Sequence, residues 1–260
     1  VPALVDTHVH LLAGLDDGPK TMEESLEMAR ILCAEGAGHT VALAHQSDDY
    51  PLVTPALIRS ATAKFAAALA EAGISLNVHA TAEVMASPDL VTAWKAGQLV
   101  SVADHGQWLL VEFPHNLYID LRPIINDLRP LGVRVILAHA ERTPELLHQP
   151  GIIENLIEAG CIVQVNSGSL TKPASAIDEK ALTAWFKRGI VHLLGSDGHS
   201  PRRRAPRLAK AAERIRHLVG ASHADSICST NGLAILRGTA PPIAPPRPPG
   251  KSWFTRLFSR

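Results

Sequence analysis

The feature that most restricts the fold of this chain is its alternation of short apolar runs with helical stretches, with no hairpin turns between the runs. Seven runs read as strands: 3–10, 40–45, 75–80, 108–113, 133–139, 161–166 and 190–196. Helical patterns separate them at 22–35, 55–72, 89–96, 119–131, 152–159 and 179–187, and two more follow at 206–219 and 224–236. Thr21 and Glu24 have the spacing of a capping box, and glycines such as Gly132 and Gly189 stand where helices should stop before a strand. A strand that rejoins its sheet through a helix runs parallel to its predecessor, so the pattern predicts an α/β fold on a parallel sheet. Seven such strands can form either a doubly wound open sheet or a closed barrel.

The polar residues favour the barrel, because they collect at the C-terminal ends of nearly every strand. In barrels that end carries the active site, while the other serves stability. The expected architecture is therefore a distorted (β/α)7 barrel over residues 1–238, with a polar site on its C-terminal rim. Beyond Gly238, the prolines at 241, 242, 245, 246, 248 and 249 make 239–250 a polyproline-type spacer that cannot continue a helix or a sheet. The last segment, 251–260, is basic and carries Trp253, Phe254, Leu257 and Phe258, which would line one side of a short helix able to dock on an anionic membrane or a partner.

Composition narrows the function. The 25 Lys and Arg residues balance 25 Asp and Glu, which argues against a nucleic-acid partner. Cys33, Cys161 and Cys228 lie far apart, which argues against a disulfide framework and for a reducing, cytoplasmic setting. No apolar run reaches the ~18 residues of a membrane span, and the N-terminus lacks a signal-peptide pattern. Thirteen histidines are the oddity that needs an account.

The first strand reads Val5-Asp6-Thr7-His8-Val9-His10. Alternation puts Asp6, His8 and His10 on one face, and two imidazoles two residues apart can share one metal ion. Other strand ends add Asp16 and Asp17 in the loop that follows, His45, Glu83, Glu112, His139 with Arg142, and Asp197 with His199. Glu112 sits in an apolar strand, where a carboxylate is costly unless a cation or hydrogen bonds neutralise it. So many donors exceed the roughly four that a single tetrahedral site uses, and the mixture of imidazole and carboxylate suits Mn, Fe or Zn better than Ca. The remaining histidines read as surface or hydrogen-bonded residues.

With these pieces in place, residues 4–236 resemble the CpsB/CapC family of PHP-type bacterial tyrosine-protein phosphatases from capsule and exopolysaccharide clusters. The resemblance rests on Asp6 to His10, Gly14 to Pro19, His45, Glu83, Val111-Glu112-Phe113, Ala138-His139 with Glu141-Arg142, Gln164 to Ser167, and Ser196-Asp197 with His199. It implies two to three divalent ions, Mn foremost with Fe, Zn or Mg as alternatives. His8, His10, Glu112 and Asp197 would hold one ion. Glu83, Glu112 and His139 would hold a second, with Glu112 bridging, and Asp17, His45 and His199 a third. Arg142 and Arg204 match the phosphate-binding arginines, although the Arg202–Arg204 triplet leaves its register open. Ala140, Thr143, Ala44 and Asn231-Gly232 depart from the family pattern without removing a ligand.

The expected chemistry is hydrolysis of phosphotyrosine on a bacterial tyrosine autokinase. Hydroxide bridging the metals at Glu112 would attack phosphorus while Arg142 and Arg204 clamp its oxygens, and Asp197, His199 and His45 are the candidates for assisting the leaving tyrosinate. No cysteine nucleophile is required, and the Cys-x5-Arg phosphate loop is missing from the sequence. The alternatives are a small-molecule phosphatase of the histidinol-phosphate type and a non-catalytic partner-binding module.

Overall fold

A computed structural model describes residues 2–114 and 117–248. Its seven strands are β1 (Leu4–Asp6), β2 (Ala37–Gln46), β3 (Asn77–Met85), β4 (Trp108–Glu112), β5 (Arg134–Leu137), β6 (Ile162–Asn166) and β7 (Leu193–Gly195). They follow one another in chain order and every pairing is parallel. The segment after β1 closes the ring against β7: Thr7 N donates to Leu194 O at 3.3 Å, Asp197 N to His8 O at 2.7 Å, and His10 N to Gly198 O at 3.0 Å. The result is the expected (β/α)7 barrel, nearly closed.

The surrounding helices are α1 (Met22–Ala34), α2 (Pro55–Glu71), α3 (Leu90–Lys95), α4 (Arg122–Leu128), α5 (Pro144–His148), α6 (Pro150–Glu158), α7 (Ser167–Thr171), α8 (Ala176–Arg188), α9 (Ala209–Val219), α10 (Ala221–Asp225) and α11 (Asn231–Leu236). Thr21 caps α1, its hydroxyl accepting from Glu24 N, while the Glu24 carboxylate reaches Lys20 N at 2.7 Å. Gly189 ends α8 in the left-handed conformation at φ 74°, which a side chain would resist. The helix expected over 119–131 is shorter, because Pro123 and Pro130 are tolerated only in a first turn; α4 therefore stops and a separate 3-10 turn, Arg129–Leu131, follows. The stretch expected as one helix over 224–236 is interrupted by a π turn at Ser226–Thr230.

Strands β4 and β6 are buried along their whole length, as a parallel sheet covered on both faces requires. Trp185 and Phe186 from α8 and Phe65 from α2 are the largest of the fully buried side chains. Burying a side chain of this kind contributes about 1.5–3 kcal/mol. Gly195 permits the close contact of β7 with the first strand, since a Cβ there would lie 2.4 Å from the His8 Cβ.

Boundaries near the site differ from the expected runs: β1 stops at Asp6, so His8 and His10 follow it rather than lie within it. Strand β3 extends to Met85, so Glu83 lies within it rather than after it. The proline-rich segment does not stand off the barrel: Pro241 is buried, Ile243 packs against the core, Arg247 N donates to Arg188 O at 2.7 Å, and Arg188 Nε donates to Arg247 O at 2.9 Å. A polyproline-type backbone makes no internal hydrogen bonds and so can pair with another segment. Folded structure therefore continues beyond Gly238. The 251–260 tail, with its expected docking helix, lies outside the described residues.

Candidate metal centre

Strand register assembles the site. His45 on β2 lies directly beside Glu83 on β3, whereas Glu112 on β4 pairs with Met85. Glu112 is thus two residues, roughly 6.6 Å, farther up the rim than Glu83. The deeper carboxylate becomes the hub. Glu83 Oε2 lies 3.2 Å from His8 Nε2, 3.3 Å from His10 Nε2 and 3.4 Å from His45 Nδ1, and Glu83 Oε1 lies 2.9 Å from His139 Nε2. Among the described residues the imidazoles facing Glu112 are His45, with Nδ1 at 2.9 Å, and His139, with Nε2 at 3.7 Å. By these distances Glu83 lies among four histidines and Glu112 beside two, on the outer side of the cluster. Farther out, Asp17 Oδ1 lies 3.3 Å from His199 Nε2 and 3.5 Å from His45 Nε2.

These donors suit divalent cations better than one another. They group as His8, His10 and Asp197; His8, Glu83 and His139; His45, Glu83 and Glu112; and His10, Asp17, His45 and His199, with the donor atoms of each group within 4.8 Å. His8 Nε2, His10 Nε2 and Glu112 Oε1 are buried and face donor-set neighbours without a well-aligned hydrogen bond, as atoms placed to ligate a cation would be. Their partners fix the rings from behind: His10 Nδ1 bonds Asp16 Oδ2 at 2.7 Å and His8 Nδ1 bonds Gln164 Oε1 at 3.2 Å. Gln164 Oε1 also accepts from His139 N at 2.7 Å. Such contacts set imidazole tautomer and basicity at metal sites.

Burial alone would lower the His10 imidazole, but the facing carboxylates of Asp16 and Glu83 raise it to about 9. Burial likewise opposes protonation of His45, and Asp17 and Glu112 overcome it, raising the ring to about 11. Burial would raise Glu83, yet the charge of His8 and the hydrogen bonds of His10 and His139 hold it well below the usual carboxylate range. Two residues of the cluster also store backbone strain: His139 at φ 29° and Asp197 at φ 54° occupy the left-handed region that non-glycine residues avoid.

Asp197 divides its carboxylate between two neighbourhoods. Oδ1 lies 3.5 Å from His8 Nε2 and from His199 Nδ1. Oδ2 accepts from Asn166 Nδ2 at 3.0 Å, Arg142 Nη2 at 2.8 Å and Arg204 Nη2 at 2.9 Å. Arg204 is the member of its triplet that lines the cavity, because its carbonyl accepts from His199 N at 2.8 Å and folds the loop back over the rim. Both guanidiniums are about half exposed at the mouth of a cavity of about 430 Å³, whose lining also includes Asp17, His45, Glu83, Glu112, His139 and His199. Tyr50 also lines this cavity, stacked on His45, and no pattern in the sequence marks it. The polar pair Gln164 and Asn166 in an otherwise apolar strand was the available signal for the supporting contacts.

Fold and site together define a parallel barrel carrying a multi-donor centre of imidazoles and carboxylates beside two arginines. The chain belongs to the CpsB/CapC family, described by its role in capsular polysaccharide synthesis, whose model matches residues 4–237. Tyrosine-protein phosphatase YwqE of Bacillus subtilis (strain 168) is 27% identical over 252 residues, covering 94% of this chain and 96% of that protein. Tyrosine-protein phosphatase CpsB of Streptococcus agalactiae serotype III (strain NEM316) is 26% identical over 241 residues, covering 90% and 98%. Crystal structures of YwqE from Bacillus subtilis and CpsB from Streptococcus pneumoniae, metal-dependent tyrosine phosphatases, provide a match with TM-score 0.87 at 25% identity, covering 95% of this chain and all of the matched one. An organophosphorus hydrolase from Deinococcus radiodurans shares the fold at TM-score 0.57 and 15% identity. Among the described residues no helix is long and apolar enough to cross a membrane.

Proposed function

We propose that this chain is a metal-dependent protein-tyrosine phosphatase of polysaccharide assembly, acting on phosphotyrosine of a tyrosine autokinase. The observation that carries the reading is the divided Asp197 carboxylate, which joins the imidazole cluster to Arg142 and Arg204. His8, His10, Glu83 and Asp197 would hold one ion, Glu83, Glu112 and His139 a second, and Asp17, His45 and His199 a third. Manganese is the favoured metal. When bound, such ions neutralise phosphoryl oxygens and lower the pKa of water toward ~7.

The chain's own groups do the rest. Arg142 and Arg204 bind the phosphoryl oxygens, where planar guanidinium matches the anion bidentately. Asp197 holds both arginines at the cavity mouth, and Gln164 and Asp16 keep the His8 and His10 rings in register. Hydrolysis forms one phosphorus–oxygen bond to water and breaks the bond to the phenolic oxygen, which leaves as tyrosinate and takes up a proton.

The test is turnover of a phosphotyrosine peptide, the matching phosphoserine peptide and histidinol phosphate, before and after stripping and Mn reconstitution. We expect activity that vanishes on stripping, returns with Mn and favours phosphotyrosine. Full turnover in a demonstrably metal-free preparation would refute metal dependence. Preference for histidinol phosphate would move the protein to small-molecule chemistry.

A further inference from the structure

The catalytic cavity has two unlike walls. Arg142, Asp197 and Arg204 come from the segments after β5 and β7, and Tyr50, Met85, Phe113 and Pro114 from the ends of β2, β3 and β4 or the segments after them. Tyr50 is held by a short turn between β2 and α2, its N–H donating to Ser47 O at 3.0 Å and its carbonyl accepting from Val53 N at 3.0 Å. The phenol ring lies parallel to the His45 imidazole, with centroids 5.3 Å apart and planes 6° apart. Tyr50 also lines a second groove of about 580 Å³, where Pro51, Val53, Leu90 and Leu99 mix with Asp48, Asp49, Asp89 and Gln98. Met85 and Pro114 line both cavities with it. Leu52, two residues on, is 82% exposed, which continues the apolar surface outward.

From this juxtaposition we infer that Tyr50 is a specificity-determining residue, packing against the aryl group of the substrate while the arginines hold its phosphate. The inference rests on the phosphatase reading above. A phosphoryl group held by Arg142 and Arg204 occupies the polar wall, so the group esterified to it must face the other. An aryl ester presents a ring that can stack on a phenol, and an alkyl ester or free phosphate does not. Stacking on His45 and the hydrogen-bonded turn of its own backbone keep Tyr50 in place, so little side-chain freedom is lost when a ring docks.

The Mn-loaded protein provides the test, comparing the KM for a phosphotyrosine peptide with the inhibition constant for inorganic phosphate. Tyr50→Leu should raise the KM about threefold to tenfold, the size of an aromatic pair, and leave the phosphate constant in place. Tyr50→Phe should leave both in place, because the ring face and not the hydroxyl is used. Metal content is measured for each variant. A KM that does not move overturns the inference. So does a parallel rise in both constants, or loss of metal, either of which would make Tyr50 a buttress for His45. Absence of phosphotyrosine turnover in the unmodified protein would instead refute the phosphatase reading itself.

Discussion

At the end of the barrel where the strands finish, His10 and His45 face carboxylates and carry raised pKa values of about 9 and about 11. At the end where the strands begin, burial lowers His79 and His192 to about 4, with neighbouring imidazoles adding to the effect. His79 Nε2 lies 3.4 Å from His39 Nδ1, and His192 Nδ1 accepts from Val163 N at 3.0 Å. The two ends use the same side chain for opposite purposes. What separates them is the partner: carboxylates make a rim that must be neutralised by protons or cations, and their absence makes an end that stays neutral and contributes stability.

The comparison breaks first at its hub. Glu83→Gln should remove more activity and more bound metal than Glu112→Gln, because Glu83 contacts four histidines and Glu112 two. The loss at Glu83 should exceed the roughly 10- to 100-fold typical of residues that only support a ligand. Elemental analysis and turnover of both variants decide it, and a larger effect at Glu112 would return the central role to that residue.

Metal loading provides the next test. At pH 7 the metal-free rim holds protons on His10 and His45, because their folded values lie above neutrality. Ligation requires neutral imidazole, so loading should release protons, and apparent metal affinity should climb as pH rises toward 9. Calorimetric titration with Mn in two buffers of different ionisation enthalpy reads the proton count directly. Binding with no proton release would mean that the cluster is already neutral.

The smallest expected effect lies at the opposite end. His192 titrates near 6.5 when unfolded and at about 4 when folded, so the unfolded chain binds the extra proton between those values. Its contribution is complete above pH 6.5 and is lost as pH falls toward 4, by roughly 3 kcal/mol at most. Denaturant melts at pH 7 and pH 5 should show a steeper loss for the native sequence than for His192→Gln. Equal losses would show that the ring is protonated in the fold as readily as outside it.

Much of this was legible in the residues themselves. The strand–helix alternation pointed to the parallel barrel, because local periodicity and helix caps depend on neighbours only a few positions away. The polar ends of strands identified the rim, since charged groups within apolar runs need a shared reason to be there. Helices α5 and α7 escaped notice because five residues are too few to show a period. Tyr50 escaped because a single aromatic in a polar loop carries no pattern until the turn brings it over His45.

The amino-acid order by itself determined which residue types meet at the rim: imidazoles, carboxylates and arginines, carried at the ends of parallel strands. Only the tertiary structure decided their ranks. Whether Glu83 or Glu112 is central depends on the pairing of β3 with β4, and Arg204 is distinguished from Arg202 and Arg203 by a loop that folds back onto His199. The proline segment joins the barrel through a pairing with Arg188, far away in the chain. Each is a contact between distant segments, where a slip of two residues keeps every side chain on its proper face yet moves a carboxylate by roughly 6.6 Å. Local periodicity is blind to such a slip, and core packing with backbone hydrogen bonding between strands is what resolves it.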